Sequence, residues 1–316
     1  MGQLSCWRRD SIRHWTTIWF GRRRHGAGRE MRIYVISLTV AVSCALLPLG
    51  GRAEAIDTEH LFAFTIGSDI GEVGEREFQN QTTGRFAKRT GSYRALSEAA
   101  ELEFVPIKNF RAEFAAVAAS HDISGVAGFD DLKQAGLQGV AVDLRYRFFD
   151  RGAAPFGLIF AAETHADRID ETSGQHVRKY GTDFALAFDR ELIPDKLVAS
   201  VNFLYQPEWT NFLATNKTEQ DVTLGVAWAM MAQIRPGLLI GAEARYLRKY
   251  EGLGLDLFAG HALFVGPTIF IKLSERSRLT AAWSFQVSGR SAAMPGSLDL
   301  VDFERHQARL VYGINF

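Results

Sequence analysis

The chain closes on Phe303-Glu304-Arg305-His306-Gln307-Ala308-Arg309-Leu310-Val311-Tyr312-Gly313-Ile314-Asn315-Phe316, and the reading of this stretch decides the fold. Leu310, Tyr312, Ile314 and Phe316 fall on one side of an extended chain, and Arg305, Gln307, Arg309 and Asn315 fall on the other. Successive side chains of a strand point to opposite faces, so this is a strand with one apolar and one charged face. A strand of that kind needs hydrocarbon outside and something polar inside, which a closed transmembrane barrel supplies.

Working back from the terminus, segments of the same kind recur at 61–70, 92–105, 110–120, 134–148, 156–166, 179–190, 196–208, 219–233, 237–248, 261–273, 278–289 and 303–316. In 134–148, Val140, Val142, Leu144, Tyr146 and Phe148 oppose Gly139, Ala141, Asp143, Arg145 and Arg147. In 278–289, Leu279, Trp283, Phe285 and Val287 oppose Thr280, Ser284, Gln286 and Ser288. At roughly 3.3 Å per residue, about eleven tilted residues cross an outer-membrane apolar band of roughly 25 Å. The expected fold is therefore all-β: an antiparallel up-and-down transmembrane β-barrel of about 12 strands. A soluble sandwich is the rival, but its strands are shorter and its outer faces polar. Segment 261–273, with Pro267 and apolar residues in both registers, fits least well, and 92–103 also reads as a short helix.

The connections support the same parsing. Short ones (106–109, 149–155, 191–195, 234–236 and 274–277) alternate with longer ones such as 121–133, 167–178 and 290–302. Short periplasmic turns and longer outer loops are the asymmetry expected of such barrels, and an even strand number leaves both ends on the short-turn side.

Upstream lies an export signal. Residues 31–55 combine a basic start at Arg32, an apolar run from Ile33 to Leu49 and Ala53-Glu54-Ala55, a small-x-small cleavage site. An uncleaved anchor is the alternative, and the cleavage site argues against it. Residues 1–30 carry seven arginines and no apolar period, which suggests a misassigned start or a long basic leader before Met31. The barrel domain is then 56–316. Cys6 and Cys44 both precede it, so the mature chain has no thiol or disulfide chemistry. Cys44 is a poor lipidation site, because Ala41-Val42-Ser43 does not match the usual approach and the apolar run continues past it. The removed segment takes nine arginines and three acids, leaving 27 basic and 33 acidic side chains. A mildly acidic product without a basic stripe is not suited to nucleic acid.

On the inward register lie Glu101, Glu103, Glu113, Asp143, Glu163, Asp183 and Glu243 together with Arg111, Arg145, Arg147, Arg245, Arg305 and Arg309. Charges at the lipid-facing midplane cost several kcal/mol, so these groups turn inward. There they either line water or pair across the lumen. In the first case the barrel is a narrow channel or transporter for small polar or ionic solutes, with opposed acid and arginine ladders selecting by charge. In the second it is a closed structural or interaction barrel acting through its outer loops. Asp143, Arg145, Arg147, Glu163, Asp183, Glu243, Arg245, Arg305 and Arg309 are the selectivity candidates. A membrane hydrolase is a third reading. His121, His165, His176, His261 and His306 are scattered singly, without a G-x-S-x-G elbow or metal-type spacing, so no catalytic residue, metal or cofactor is assigned.

Leu144-Arg145-Tyr146-Arg147-Phe148-Phe149-Asp150, Leu204-Tyr205-Gln206-Pro207-Glu208-Trp209, Ala244 to Tyr250 and Phe303 to Arg309 resemble stretches of uncharacterised proteobacterial outer-membrane β-barrel proteins. More distantly the chain is similar to outer-membrane transporters grouped with aromatic-degradation pathways. The resemblance implies fold, compartment and outer-membrane lipid as surroundings, and it transfers no site residue. Phe316, with Ile314 and Tyr312, resembles the signal read by the barrel-assembly machinery, which implies a transient assembly partner.

Overall fold

A computed structural model describes residues 56–316; the stretches expected to be a signal peptide (31–55) and a leader or misassigned start (1–30) lie outside the described residues. Twelve strands follow in order: β1 (Arg76–Phe86), β2 (Ser92–Ile107), β3 (Phe110–Ser124), β4 (Leu132–Phe149), β5 (Gly157–Ile169), β6 (His176–Ile193), β7 (Leu197–Phe212), β8 (Lys217–Arg235), β9 (Leu238–Glu251), β10 (Leu257–Lys272), β11 (Ser277–Ser291) and β12 (His306–Asn315). Each pairs antiparallel with its neighbour, and β1 pairs with β12 to close the barrel, Phe78 opposite Ile314 and Thr82 opposite Leu310. Closure leaves no strand edge, so every wall amide finds a partner without water.

The two faces separate as the alternation requires. Leu144, Tyr146, Phe148, Phe203, Ile240, Trp283 and Phe285 stand on the outside with 43% to 54% of their surface exposed, while Asp143, Glu243, Thr280 and Ser284 are buried within. Such an apolar exterior around a polar interior is tolerable only in a bilayer. The turns on the side of the chain ends are tight, and their left-handed positions fall to residues that accept them: Asn109 (φ 65°), Asp195 (φ 57°) and Gly237 (φ 76°). On the opposite side the strands continue pairing beyond the apolar belt. That shortens the long connections expected there to segments such as 125–131 and 170–175, and only 292–305, between β11 and β12, remains extended.

One expected strand is displaced. Residues 61–70 are not in the wall; the first strand is Arg76–Phe86, in a stretch read from sequence as a connection. The alternation of 61–70 is real, but its amides are taken by side chains. Glu243 accepts from Ala63 and Phe64, Asn202 from Ile66 and Asp189 from Ser68. The true β1, Arg-Glu-Phe-Gln-Asn-Gln-Thr-Thr-Gly-Arg-Phe, is polar on both faces, with Asn80 and Thr82 between Phe78 and Phe86 on the outside. It therefore carries almost no hydrophobic period. The other eleven segments are strands near their expected bounds, including 92–103, which is not helical. β10 is apolar in both registers because its inward Phe264 packs on Phe303, which the β11–β12 connection brings into the barrel.

Substituting Phe203, near the middle of β7 on the outer face, by Lys should destabilise the barrel by ~2–4 kcal/mol, the cost of a charge near the bilayer midplane. Urea unfolding in lipid, followed by tryptophan fluorescence, measures it, and nitroxides at Leu144, Ile240 and Trp283 should be shielded from water.

Candidate functional site

The interior has two storeys. On the short-turn side it is filled by residues 56–75, which rise from the turns, bend near Ala63-Phe64-Thr65 and return to enter β1. The returning limb lies so close to the rising one that a Cβ on Gly67 would meet Thr58. Being irregular backbone in the middle of a barrel, this plug must have its polar groups satisfied by the wall. Each Glu243 carboxylate oxygen accepts one of the two tip amides at 2.9 Å, and Thr268 donates to the same carboxylate at 2.7 Å. Asn202 accepts from the Ile66 amide at 2.7 Å and donates to its carbonyl at 2.9 Å. Asp189 receives the Ser68 amide and hydroxyl at 2.7 and 2.6 Å. Arg309 donates to the Ala63 carbonyl at 3.0 Å, and Arg151 holds both the Ile56 carbonyl and Asp69. Ile56, Leu61 and Phe62 add an apolar contact with Val198, Met231 and Leu239.

Ion pairs lock the same storey. Arg111, 1% exposed, reaches Glu103, Glu113 and Glu59 at 3.0, 3.2 and 3.3 Å, so one guanidinium ties the plug to β2 and β3. Arg278 pairs with Glu77, Arg145 with Asp143 at 2.7 Å, and Arg147 reaches Asp69 of the plug at 3.7 Å. His60 sits 3.6 to 3.9 Å from Glu77, Glu59 and Glu103. Glu59, His60 and Glu103 are spaced closely enough to hold a metal ion, but Arg111 already occupies both carboxylates, and ion pairing accounts for the cluster.

Above the plug lies a polar vestibule of about 660 Å³ that extends to the rim. Its lining includes Glu163, Asp183, Arg245 and Arg309 of the sequence candidates. His165 pairs with Asp167 at 2.6 Å, Lys179 with Glu208 at 3.0 Å and Lys249 with Asp221 at 3.4 Å. The Arg85–Glu171 bridge, 2.9 Å, links β1 to the β5–β6 connection, and the guanidinium holds the Glu171 carboxyl at about 2. The inward end of the β11–β12 connection narrows the space: Lys88 donates to the Val301 and Phe303 carbonyls, and Gln286 clamps the backbone of Asp299.

The sequence candidates thus divide between the storeys. Asp143, Arg145, Arg147 and Glu243 lie with the plug, while Glu163, Asp183, Arg245 and Arg309 reach the vestibule. Arg305 joins neither: it precedes β12 and is exposed, and its neighbour Glu304 turns inward toward Arg85 instead. Asn202, Asp189 and Arg278 were the functional positions least evident in sequence, because each is a single polar residue whose partner is far along the chain. Of the histidines, His121 bonds the Glu171 carbonyl, His261 and His306 make ring contacts among aromatics, and among the described residues no serine hydroxyl bonds any imidazole.

A closed twelve-stranded barrel with an apolar belt and an ionised interior is an outer-membrane β-barrel. The chain belongs to the family of unknown function DUF6662, which matches residues 54–316. None of the curated proteins compared with it matches. Among solved structures, it is similar to an outer-membrane channel from Pseudomonas putida F1, with 11% identity, 79% of this chain and 98% of that one covered, and a TM-score of 0.56. The β domain of the Bordetella autotransporter BrkA matches with 14% identity over 78% of this chain and 100% of its own, at a TM-score of 0.46. The TodX monoaromatic hydrocarbon channel matches with 8% identity over 78% and 91%, at 0.34. At these identities the likeness is one of fold.

Replacing Arg111 by Met should cost ~3–5 kcal/mol, because it strands three buried carboxylates; denaturant unfolding of the refolded variant gives the value. The Arg85–Glu171 bridge stabilises the fold fully above the ordinary glutamate value of 4.5, and its contribution falls away as pH drops toward about 2. The gap in melting temperature between wild type and Arg85→Gln should accordingly be present at neutral pH and shrink to nothing near that lower limit.

Proposed function

We propose that this outer-membrane barrel is a gated channel for small polar or ionic solutes, which collect in the outer vestibule and pass when the tip of the plug, near residues 63–68, leaves its seat. The observation that carries this reading is that the lumen is obstructed by a separate stretch of the chain, not by the wall itself. At its tip that stretch is held by hydrogen bonds to wall side chains, which water can replace, while ion pairs of Glu59 and Asp69 anchor its base. A barrel meant only as a solid pillar has no need of a polar cavity large enough for several small molecules on one side of a removable plug. Opposed charges in the vestibule favour ionic or dipolar solutes over apolar ones.

The closed structural barrel remains the second reading, and the buried Arg111 network favours it, since such a network resists rearrangement. Planar-bilayer recording separates the two. Wild-type protein should be nearly silent, and deletion of residues 56–70 or the double substitution Glu243→Gln, Asp189→Asn should produce discrete conductance steps. Silence after the deletion, in protein shown to be folded by heat-modifiable gel mobility, overturns the channel. We further propose that Tyr312, Ile314 and Phe316, exposed along the outer face of the closing strand, form the signal taken up by the barrel-assembly machinery.

A further inference from the structure

Two guanidinium groups in the lumen lack a carboxylate. Arg85, Arg111, Arg145, Arg147, Arg151 and Arg278 each have an ion-paired acid, whereas among the described residues Arg245 and Arg309 have none. Both sit on the ring of Phe64 at the plug tip, 3.9 and 4.7 Å from its centroid, and both line the vestibule. Their hydrogen bonds go only to neutral oxygens, Gln307 Oε1 for Arg245 and the Thr83 hydroxyl and Ala63 carbonyl for Arg309. The Nε of Arg245 is buried without a partner. The nearest wall acid on β9, Glu243, is committed to the plug amides and Thr268. Glu243, Glu304, Glu101 and Glu163 act on the two arginines only from beyond ion-pair distance, so two adjacent cations with no carboxylate in contact favour an anion that joins them directly.

The opposite wall shows the reverse. Glu163 is exposed within the barrel and has no side-chain hydrogen bond or ion pair, and it stands beside Asp183 in the β5–β6 register. Both line the same vestibule, and β6 lies half a turn of the barrel from β12, which carries Arg309. Carboxylates outnumber cations along the lining as a whole. A bare anion must therefore cross an acidic vestibule to reach the arginines, and a bare cation that settles on the acids leaves the arginines unpaired.

The geometry points to a binding site for a small zwitterion, its carboxylate on Arg245 and Arg309 and its ammonium on Glu163 and Asp183. This deepens the channel reading and rests on it for the physiological meaning of binding. Because Arg309 also holds the Ala63 carbonyl, a bound carboxylate competes with the plug tip for the same guanidinium, which couples occupancy to release of the plug.

The test is calorimetric titration of the purified full-length protein in detergent with β-alanine, propionate and propylammonium, matched probes carrying both charges, the anion alone and the cation alone. β-Alanine should bind at least tenfold more tightly than either of the others. Arg245→Gln should remove that advantage by weakening β-alanine and propionate but not propylammonium, and Glu163→Gln should weaken β-alanine and propylammonium but not propionate. Heat-modifiable mobility verifies that each variant is folded. Propionate binding as tightly as β-alanine, equal binding of all three, or no binding overturns the site. Binding requires no passage, so tight β-alanine binding without flux through the plug-deleted barrel in liposomes sinks the channel and leaves the site, and flux without zwitterion preference does the opposite.

Discussion

Every part of this molecule answers to the need to satisfy backbone polar groups where water is absent. The wall does so by pairing each strand with its neighbours and closing β1 on β12. Once closed, the cylinder encloses a second region beneath the vestibule where chain is buried, and any backbone entering it must again find partners. The plug finds them in wall side chains, Glu243, Asn202, Asp189 and Arg309, each matched to a particular amide or carbonyl. Backbone that would otherwise be costly to bury thus becomes a specific ligand of the barrel.

Two kinds of attachment hold the plug, and they differ in consequence. Hydrogen bonds from the plug backbone to single wall side chains contribute roughly 1 to 3 kcal/mol each, the larger values where the partner is the Glu243 or Asp189 carboxylate or the Arg309 guanidinium, and each can be exchanged separately for water. The Arg111 network binds three carboxylates in a buried place and changes only at much larger cost. The first kind is concentrated at the tip, beneath the vestibule, and the second at the rising limb. A tip loosened from above while its base stays anchored is the motion this arrangement favours.

Much of the architecture was legible in the chain because lipid imposes a period of two on strands. Residues 134–148 and 278–289 show it plainly, and their structural faces agree with the reading. Residues 76–86 do not, because the outer face of β1 keeps Asn80 and Thr82, and the segment is recognisable as wall only through its pairing with β2 and β12. Conversely 61–70 alternates like a strand because it lies against polar side chains on some sides and apolar ones on others. Local pattern reports a two-faced environment without saying which two faces. The lumen charges were legible as inward, but Glu243 as a plug receptor and Glu163 as an unpaired carboxylate were not, since their partners or lack of them depend on strands far apart in sequence.

From its sequence alone this protein is a twelve-stranded membrane barrel with ionised groups inside, because hydrocarbon penalises each misplaced charge locally and so writes the fold residue by residue. Only the tertiary structure decided that the lumen is half filled by the chain's own beginning of the barrel domain and half open as a vestibule. Whether an arginine meets a carboxylate across a cylinder depends on strand register and on what else enters the space, and neither is recorded in the spacing of residues along one strand.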